Sequence, residues 1–394
     1  MRKTILLAAA SALALSTAAQ AEVKMGVLLG LTGPIESLTP DMAASAEMAM
    51  KEASDSGMFL DGETITSARG DTTCVDSSAA TTAGENLVTS ENVVSIMGAA
   101  CSGATIAVLN NVALPNGVVM ISPSSTSPAL TTIEDNGLFF RTAPSDARQG
   151  QILADVAMEK GIESVAITYT KNDYGKGLAD SFAAAFEEAG GEVTITAAHE
   201  DGKGDYSAEV GALASAGGDA LVDLGYVDQG GRGVLQGAID AGAFDTFLLG
   251  DGMIGDSLLD VAGLDMVTVI GTVPGTDSPD ADTFNQLAQD AGITGTGPYR
   301  GESYDAAALM ILGMQAGGSA DRGVIADEIM AIANAPGEKI GPGELGKALE
   351  MIKNGEDVDY QGATGVEFTD VGEAQGSYKE LEIQDGAWVT VTVR

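Results

Sequence analysis

Short apolar runs alternate along this chain with longer segments whose apolar positions recur every three to four residues. The first set reads as strands at 24–29, 64–70, 93–97 and 118–122, with helices at 41–56, 77–90 and 103–114 between them. A second set begins near Ser145: helix 148–160, strand 164–168, helix 174–189, strand 192–197, helix 206–216, strand 220–224, helix 230–241 and strand 246–249. Strands separated by helices of this length imply right-handed crossovers and parallel sheets. The expected fold class is therefore α/β, with two Rossmann-like lobes.

Residues 139–144 lead from the first set into the second, and a Gly-, Thr- and Pro-rich stretch at 269–279 leads out of it. Helices are expected next at 282–291, 303–316, 321–333 and 343–353, then strands at 365–368, 377–384 and 388–393. That tail is too short for a third domain, so the chain crosses between lobes more than once. We expect residues 22–142 plus 275–355 in one lobe and 143–274 plus 356–394 in the other. A multi-strand hinge and a closing cleft follow from that arrangement.

The first residues change the setting. Arg2 and Lys3, an apolar stretch at 5–15 and Ala19-Gln20-Ala21 read as a signal peptide, 1–21, with the mature chain starting at Glu22. The expected product is soluble in the periplasm. Its formal charge is -38, or -40 once Arg2 and Lys3 are removed. Such a field disfavours nucleic acid and anionic lipid, and makes a zwitterion easier to capture than a multiply charged anion. Export also permits a disulfide between the two cysteines, Cys74 and Cys101, worth about 3.5 kcal/mol in the chain-entropy model; two separate buried thiols are the alternative. The single histidine, His199, reads as an exposed loop residue and leaves no metal-ligand set. No nucleophile elbow or phosphate loop is present, so neither an enzyme nor a cofactor is expected.

Two hydroxyl clusters carry the chemistry. Ser102 opens the helical stretch 103–114, and Ser124, Ser125 and Thr126 follow the strand 118–122, so both fall at strand C-terminal ends, where open α/β sheets bind ligands. Orphan backbone N–H groups and the helix dipole there welcome a carboxylate without any arginine. Ordinary N-capping and turn chemistry is the alternative reading of Ser102 and Ser124, and both readings can hold for one residue.

Asp71-Thr-Thr-Cys74, Ala100-Cys101-Ser102-Gly-Ala-Thr, Met120-Ile-Ser-Pro-Ser-Ser-Thr-Ser-Pro128 and Asn172-Asp-Tyr-Gly-Lys-Gly177 resemble, in order, the leucine/isoleucine/valine-binding proteins of bacterial ABC importers. Leu31-Thr-Gly-Pro34, Phe140-Arg-Thr142 and Ser303-Tyr-Asp-Ala306 fit the same pattern. The resemblance implies two lobes joined by three strands and a Cys74–Cys101 disulfide. It implies a neutral amino acid held by the hydroxyls of Ser102 and Thr126 and the carbonyl of Ser124, beside Ser125. Asp251 would meet the ammonium, with Tyr174 and Tyr226 arriving from the second lobe. Asp251 is one methylene shorter than the glutamate of the branched-chain members, and Leu38 stands where an aromatic is expected. The implied partner is an inner-membrane ABC permease, served by a monomer. A binder of another small carboxylate or amide, or a soluble sensor for a signalling receptor, are the alternatives.

Overall fold

The computed structural model describes residues 22–394; the expected signal peptide lies outside the described residues. The first lobe is built from β1 (Glu22–Leu29), α1 (Thr39–Ser56), β2 (Thr64–Asp71), α2 (Ser77–Thr89), β3 (Ser95–Gly98), α3 (Ser102–Val108), β4 (Val119–Ser122) and β5 (Phe139–Arg141). Its strands form one parallel sheet in the order β2-β1-β3-β4-β5. The second lobe holds α4 (Asp146–Glu159), β6 (Ser164–Thr170), α5 (Asp173–Glu188), β7 (Glu192–His199), α6 (Ser207–Ala216), β8 (Ala220–Leu224), α7 (Gly230–Asp240), β9 (Thr246–Leu249) and β10 (Thr268–Pro274).

The chain then returns to the first lobe with α8 (Pro279–Asp290), α9 (Arg300–Gly317), α10 (Arg322–Ile332), β11 (Glu338–Ile340), α11 (Leu345–Lys353) and β12 (Val358–Tyr360). It ends in the second sheet as β13 (Tyr378–Gln384) and β14 (Ala387–Val393), giving the order β14-β13-β10-β9-β8-β6-β7. Only β13 runs against the other strands there, antiparallel to both β10 and β14. Every residue of α9 from Glu302 to Gln315 is buried, which is why this helix, packed between α1 and α10, shows no amphipathic stripe.

Local chemistry sets the helix starts. Asp76 accepts from the N–H groups of Ser78 and Ala79 to cap α2, Ser145 caps α4, and Asn172 caps α5 through Gly175. The disulfide joins Cys74 and Cys101, with Cα atoms 5.4 Å apart, beside the ends of β2 and β3.

Several expectations shift. The segments read as plain connectors at 139–144 and 269–279 contain β5 and most of β10, strands within the two sheets. The strand expected at 365–368 is reduced to one bridge, Phe368 with Ala374. The last crossing was expected at 356, yet β12 pairs with β11, the Tyr360 hydroxyl donates to Asp305 at 2.8 Å and Phe368 stacks on Phe140. These contacts hold residues 358–374 on the first lobe, and the chain re-enters the second at Tyr378. His199 is no exposed loop residue: it ends β7 at 1% exposure, its Nδ1 2.8 Å from the Thr168 hydroxyl.

Candidate functional site

In the first sheet the strand order reverses between β1 and β3, and in the second between β6 and β8. Such switch points splay the loops at strand C-terminal ends and leave a crevice. The two crevices face each other. Ile35, Leu38 and Met42 follow β1, Ala100 to Ser102 follow β3, Tyr174 follows β6, and Tyr226 follows β8. Together with Ser124, Asp251, Gly252 and Tyr299 they line a small closed cavity of about 30 Å³.

The lobes touch around it. Asp228 donates its N–H to the Pro34 carbonyl at 3.1 Å, and its carboxylate accepts from the Ser37 N–H at 2.8 Å. The Ser127 hydroxyl donates to the Asp173 carbonyl at 3.0 Å. Leu38 packs on Gly255 of the second lobe, so the position where an aromatic was expected forms an apolar wall instead.

On the first-lobe side, the Ser102 hydroxyl oxygen accepts from the Ser127 N–H at 3.1 Å, which leaves its proton free to donate. Ser124 lines the cavity, with its hydroxyl donating to the Ala100 carbonyl at 2.9 Å. Thr126 is fully buried, and its side chain faces the Asp146 carboxyl of the second lobe. Ser125 behaves differently. Its hydroxyl is taken by the carbonyls of Ala99 and Ala100 and by Thr105, so it holds the two loops together and does not line the cavity. Arg141, 1% exposed, fixes this loop from below by donating to the carbonyls of Ser125 and Ser127, each at 3.0 Å.

On the second-lobe side, Asp251 begins a single 3-10 turn after β9. The Tyr174 hydroxyl donates to its Oδ1 at 2.9 Å and itself accepts from the Gly252 N–H at 3.0 Å. A Cβ at Gly252 would lie 2.8 Å from that hydroxyl and 2.7 Å from the Gly225 carbonyl, so only glycine admits the contact. The Tyr174 and Tyr226 rings stack with centroids 5.2 Å apart. Asn172 donates to the Tyr226 hydroxyl at 3.3 Å.

Two further residues escaped the sequence reading. Tyr299 lies in a Gly- and Thr-rich stretch without periodicity, yet its hydroxyl donates to Asp251 Oδ2 at 2.5 Å. Asp146 reads as an ordinary first-turn acid of α4, but it is fully buried with its carboxyl facing the Thr126 side chain. Its N–H donates to the Thr126 carbonyl at 2.8 Å, which sets it beside the hydroxyl cluster. Burial raises the Asp251 carboxyl above the ordinary aspartate range, and burial plus the Asp251 charge raises Asp146 well above it. The two titrate as a pair.

The cavity therefore presents serine hydroxyls from one lobe and the Asp251 carboxyl from the other, between the switch-point loops. That is a hinged ligand-binding protein. The family model described as "Periplasmic binding protein" matches residues 22–337. The "Leu/Ile/Val-binding protein homolog 3" of Brucella melitensis is 30% identical over 289 residues, covering 72% of this chain and 74% of its own. A substrate-binding protein of a chemotactic signal transduction system from Halobacterium salinarum is 26% identical, covering 87% and 82%. The crystal structure of a leucine binding protein from Thermotoga maritima superposes with a TM-score of 0.80 at 24% identity, over 94% of this chain and 98% of that one. The chain belongs to the periplasmic binding protein family, in its leucine/isoleucine/valine-binding group. These relatives are substrate-binding proteins. Among the described residues no helix is long and apolar enough to cross a membrane.

Proposed function

We propose that this protein captures a neutral aliphatic amino acid between its lobes in the periplasm and delivers it, without chemical change, to an ABC permease. The observation that carries this reading is the polarity of the cavity: the Ser102 hydroxyl, its proton free, on one side and the Asp251 carboxyl on the other, with buried Thr126 and Asp146 behind that lining. A zwitterion satisfies both. Its carboxylate takes the donors of Ser102 and Thr126. Its ammonium sits against Asp251 and the Ser124 carbonyl, with Asp146 close by. The two acids share a proton in the empty site, and the ammonium takes its place on binding. The shorter reach of Asp251 is thereby offset by a second acid. Ile35, Leu38 and Met42 supply an apolar wall, and no Lys, Arg or His lines the cavity, which favours an uncharged aliphatic side chain.

Calorimetric titration of the refolded mature protein against L-amino acids and their deaminated analogues tests this. Tight binding of aliphatic amino acids with none of the analogues is expected. Preference for the analogues, with Asp251→Ala harmless, would move the ligand class to simple carboxylates or amides. The Halobacterium relative favours a second reading, in which the closed form is read by a membrane receptor. Cross-linking the liganded protein in its native membranes separates the two by the partner recovered, permease or receptor.

A further inference from the structure

A groove on the flank of the hinge forms a second binding site, and we propose that it takes a small organic monocarboxylate with an aromatic or apolar body. The groove has a volume of about 630 Å³ and runs between the 291–299 loop and α9 of the first lobe and β10, β13 and β14 of the second. Tyr299 lines both this groove and the cleft and is the partition between them.

Its charges set it apart from the rest of the molecule. The chain has 19 basic residues against 57 acidic ones, and most basic residues of the described part sit in ion pairs with carboxylates. Arg300 and Lys379 are two of the six described basic residues that form no ion pair, and both line this groove, with Asp41 the nearest acid to Arg300 outside its lining. The Arg300 guanidinium lies 5.9 Å from the Phe284 ring centroid. Its Nη2 donates to Asn285 at 3.0 Å and its Nε to the Gly297 carbonyl at 3.3 Å, which leaves Nη1 free to donate. The Glu302 side chain lines the groove with them, in a residue only 5% exposed that feels both cations and whose carboxyl bonds to no other described residue. Burial pushes that carboxyl up to about 8, so at neutral pH it offers an O–H donor instead of a competing charge. Asp256 on the rim is engaged by the Thr296 hydroxyl at 2.6 Å.

A carboxylate in the groove would meet a guanidinium, an ammonium and a carboxylic O–H, the charge-assisted contacts that bind such groups strongly. Phe284, Trp388, Ile254 and Leu381 would enclose an apolar body, and the Trp388 indole is held in place by donating to the Gly255 carbonyl at 3.2 Å. A multiply charged anion fits less well against a molecule this acidic. Arg300 belongs to the first lobe and Lys379 to the second, so a bridging carboxylate would also hold the lobes in this relative position.

Trp388 is the only tryptophan in the chain, and its fluorescence reports this groove directly. Benzoate is the probe, titrated into the full mature protein under selective indole excitation. A saturable change is expected, unaltered when Ser102→Ala and Thr126→Val remove the carboxylate donors of the cleft. Its apparent Kd should rise about tenfold or more in Arg300→Gln/Lys379→Gln, from the loss of charge-assisted hydrogen bonds. Lys379→Gln alone, at a half-exposed strand position, should weaken binding in the same direction and guards against a misfolded double variant. No saturable change, the same Kd in both groove variants, or loss of the signal in the cleft variant would overturn the proposal.

Discussion

The Tyr299 hydroxyl lies 2.5 Å from Oδ2 of Asp251, and the two residues come from opposite lobes. It is thus a closed-state bond, made to a buried carboxyl that also accepts from Tyr174. Tyr299→Phe keeps the ring and removes only the bond. Because closure and capture are linked, amino-acid affinity should fall about tenfold, the scale of one hydrogen bond to a charged group. Calorimetry measures the affinity and small-angle scattering the closure. Unchanged values in both would show that the bond adds nothing to closure.

The Asp146 and Asp251 pair predicts a pH dependence of its own. Burial raises both carboxyls, so the unliganded site retains a proton above the ordinary aspartate range. An ammonium needs the ionised form, so binding should release a proton and affinity should fall as pH drops through the raised titration. Calorimetry in buffers of different ionisation enthalpy counts that proton. Asp146→Asn should abolish the release. Equal heats in all buffers would mean that the pair is already ionised.

The two-lobe architecture was legible because strand and helix periods alternate through residue 249, and both hydroxyl clusters could be placed at strand ends. What stayed hidden depends on contacts distant in sequence. β5 is three residues long, and β10 carries Gly271, Thr272 and Pro274, so neither stands out from connector chemistry. Tyr299 reaches Asp251 across the cleft from a stretch with no periodic signal. Asp146 is indistinguishable in sequence from an acid favouring a helix N-terminus. Ser125 has the same local pattern as Ser124, and only the fold shows that its hydroxyl faces Ala99 and Ala100. His199 follows a strand edge in a polar run, and its burial comes from packing against Thr168 and Tyr206.

Arg141 tests how the hydroxyl loop is held. Besides the two loop carbonyls it donates to Thr131 at 2.8 Å and pairs with Glu373 at 2.5 Å, with side-chain exposures of 1% and 15%. Arg141→Met leaves the Ser125 carbonyl without a donor, the Glu373 carboxylate with only the Thr131 hydroxyl, and the Ser127 carbonyl with only the Leu130 N–H. A loss of about 3–5 kcal/mol in stability is expected, with weaker amino-acid binding, read by denaturant unfolding and calorimetry. Arg141→Lys should rescue little, since an ammonium cannot reproduce the fork of a guanidinium. Full rescue by lysine would reduce the role of Arg141 to its charge.

Glu302 makes the pH dependence of stability separable from that of binding. Its carboxyl is raised from 4.5 to about 8, chiefly by burial, so the folded protein holds a proton that the unfolded chain gives up above about 4.5. Stability from this group is therefore present in acid and declines as pH rises from 4.5 to 8, by at most about 1.4 kcal/mol per pH unit. Asp305, raised to about 6, acts with the same sign, whereas His199, lowered to about 4, costs stability as pH falls below 6.5. Glu302→Gln removes one contribution and leaves the others. Its melting temperature should match the parent near pH 5 and exceed it increasingly up to pH 8.5, in thermal unfolding followed by circular dichroism. Parallel curves for the two proteins would show that Glu302 is ionised at neutral pH, and would also withdraw its O–H from the hinge groove.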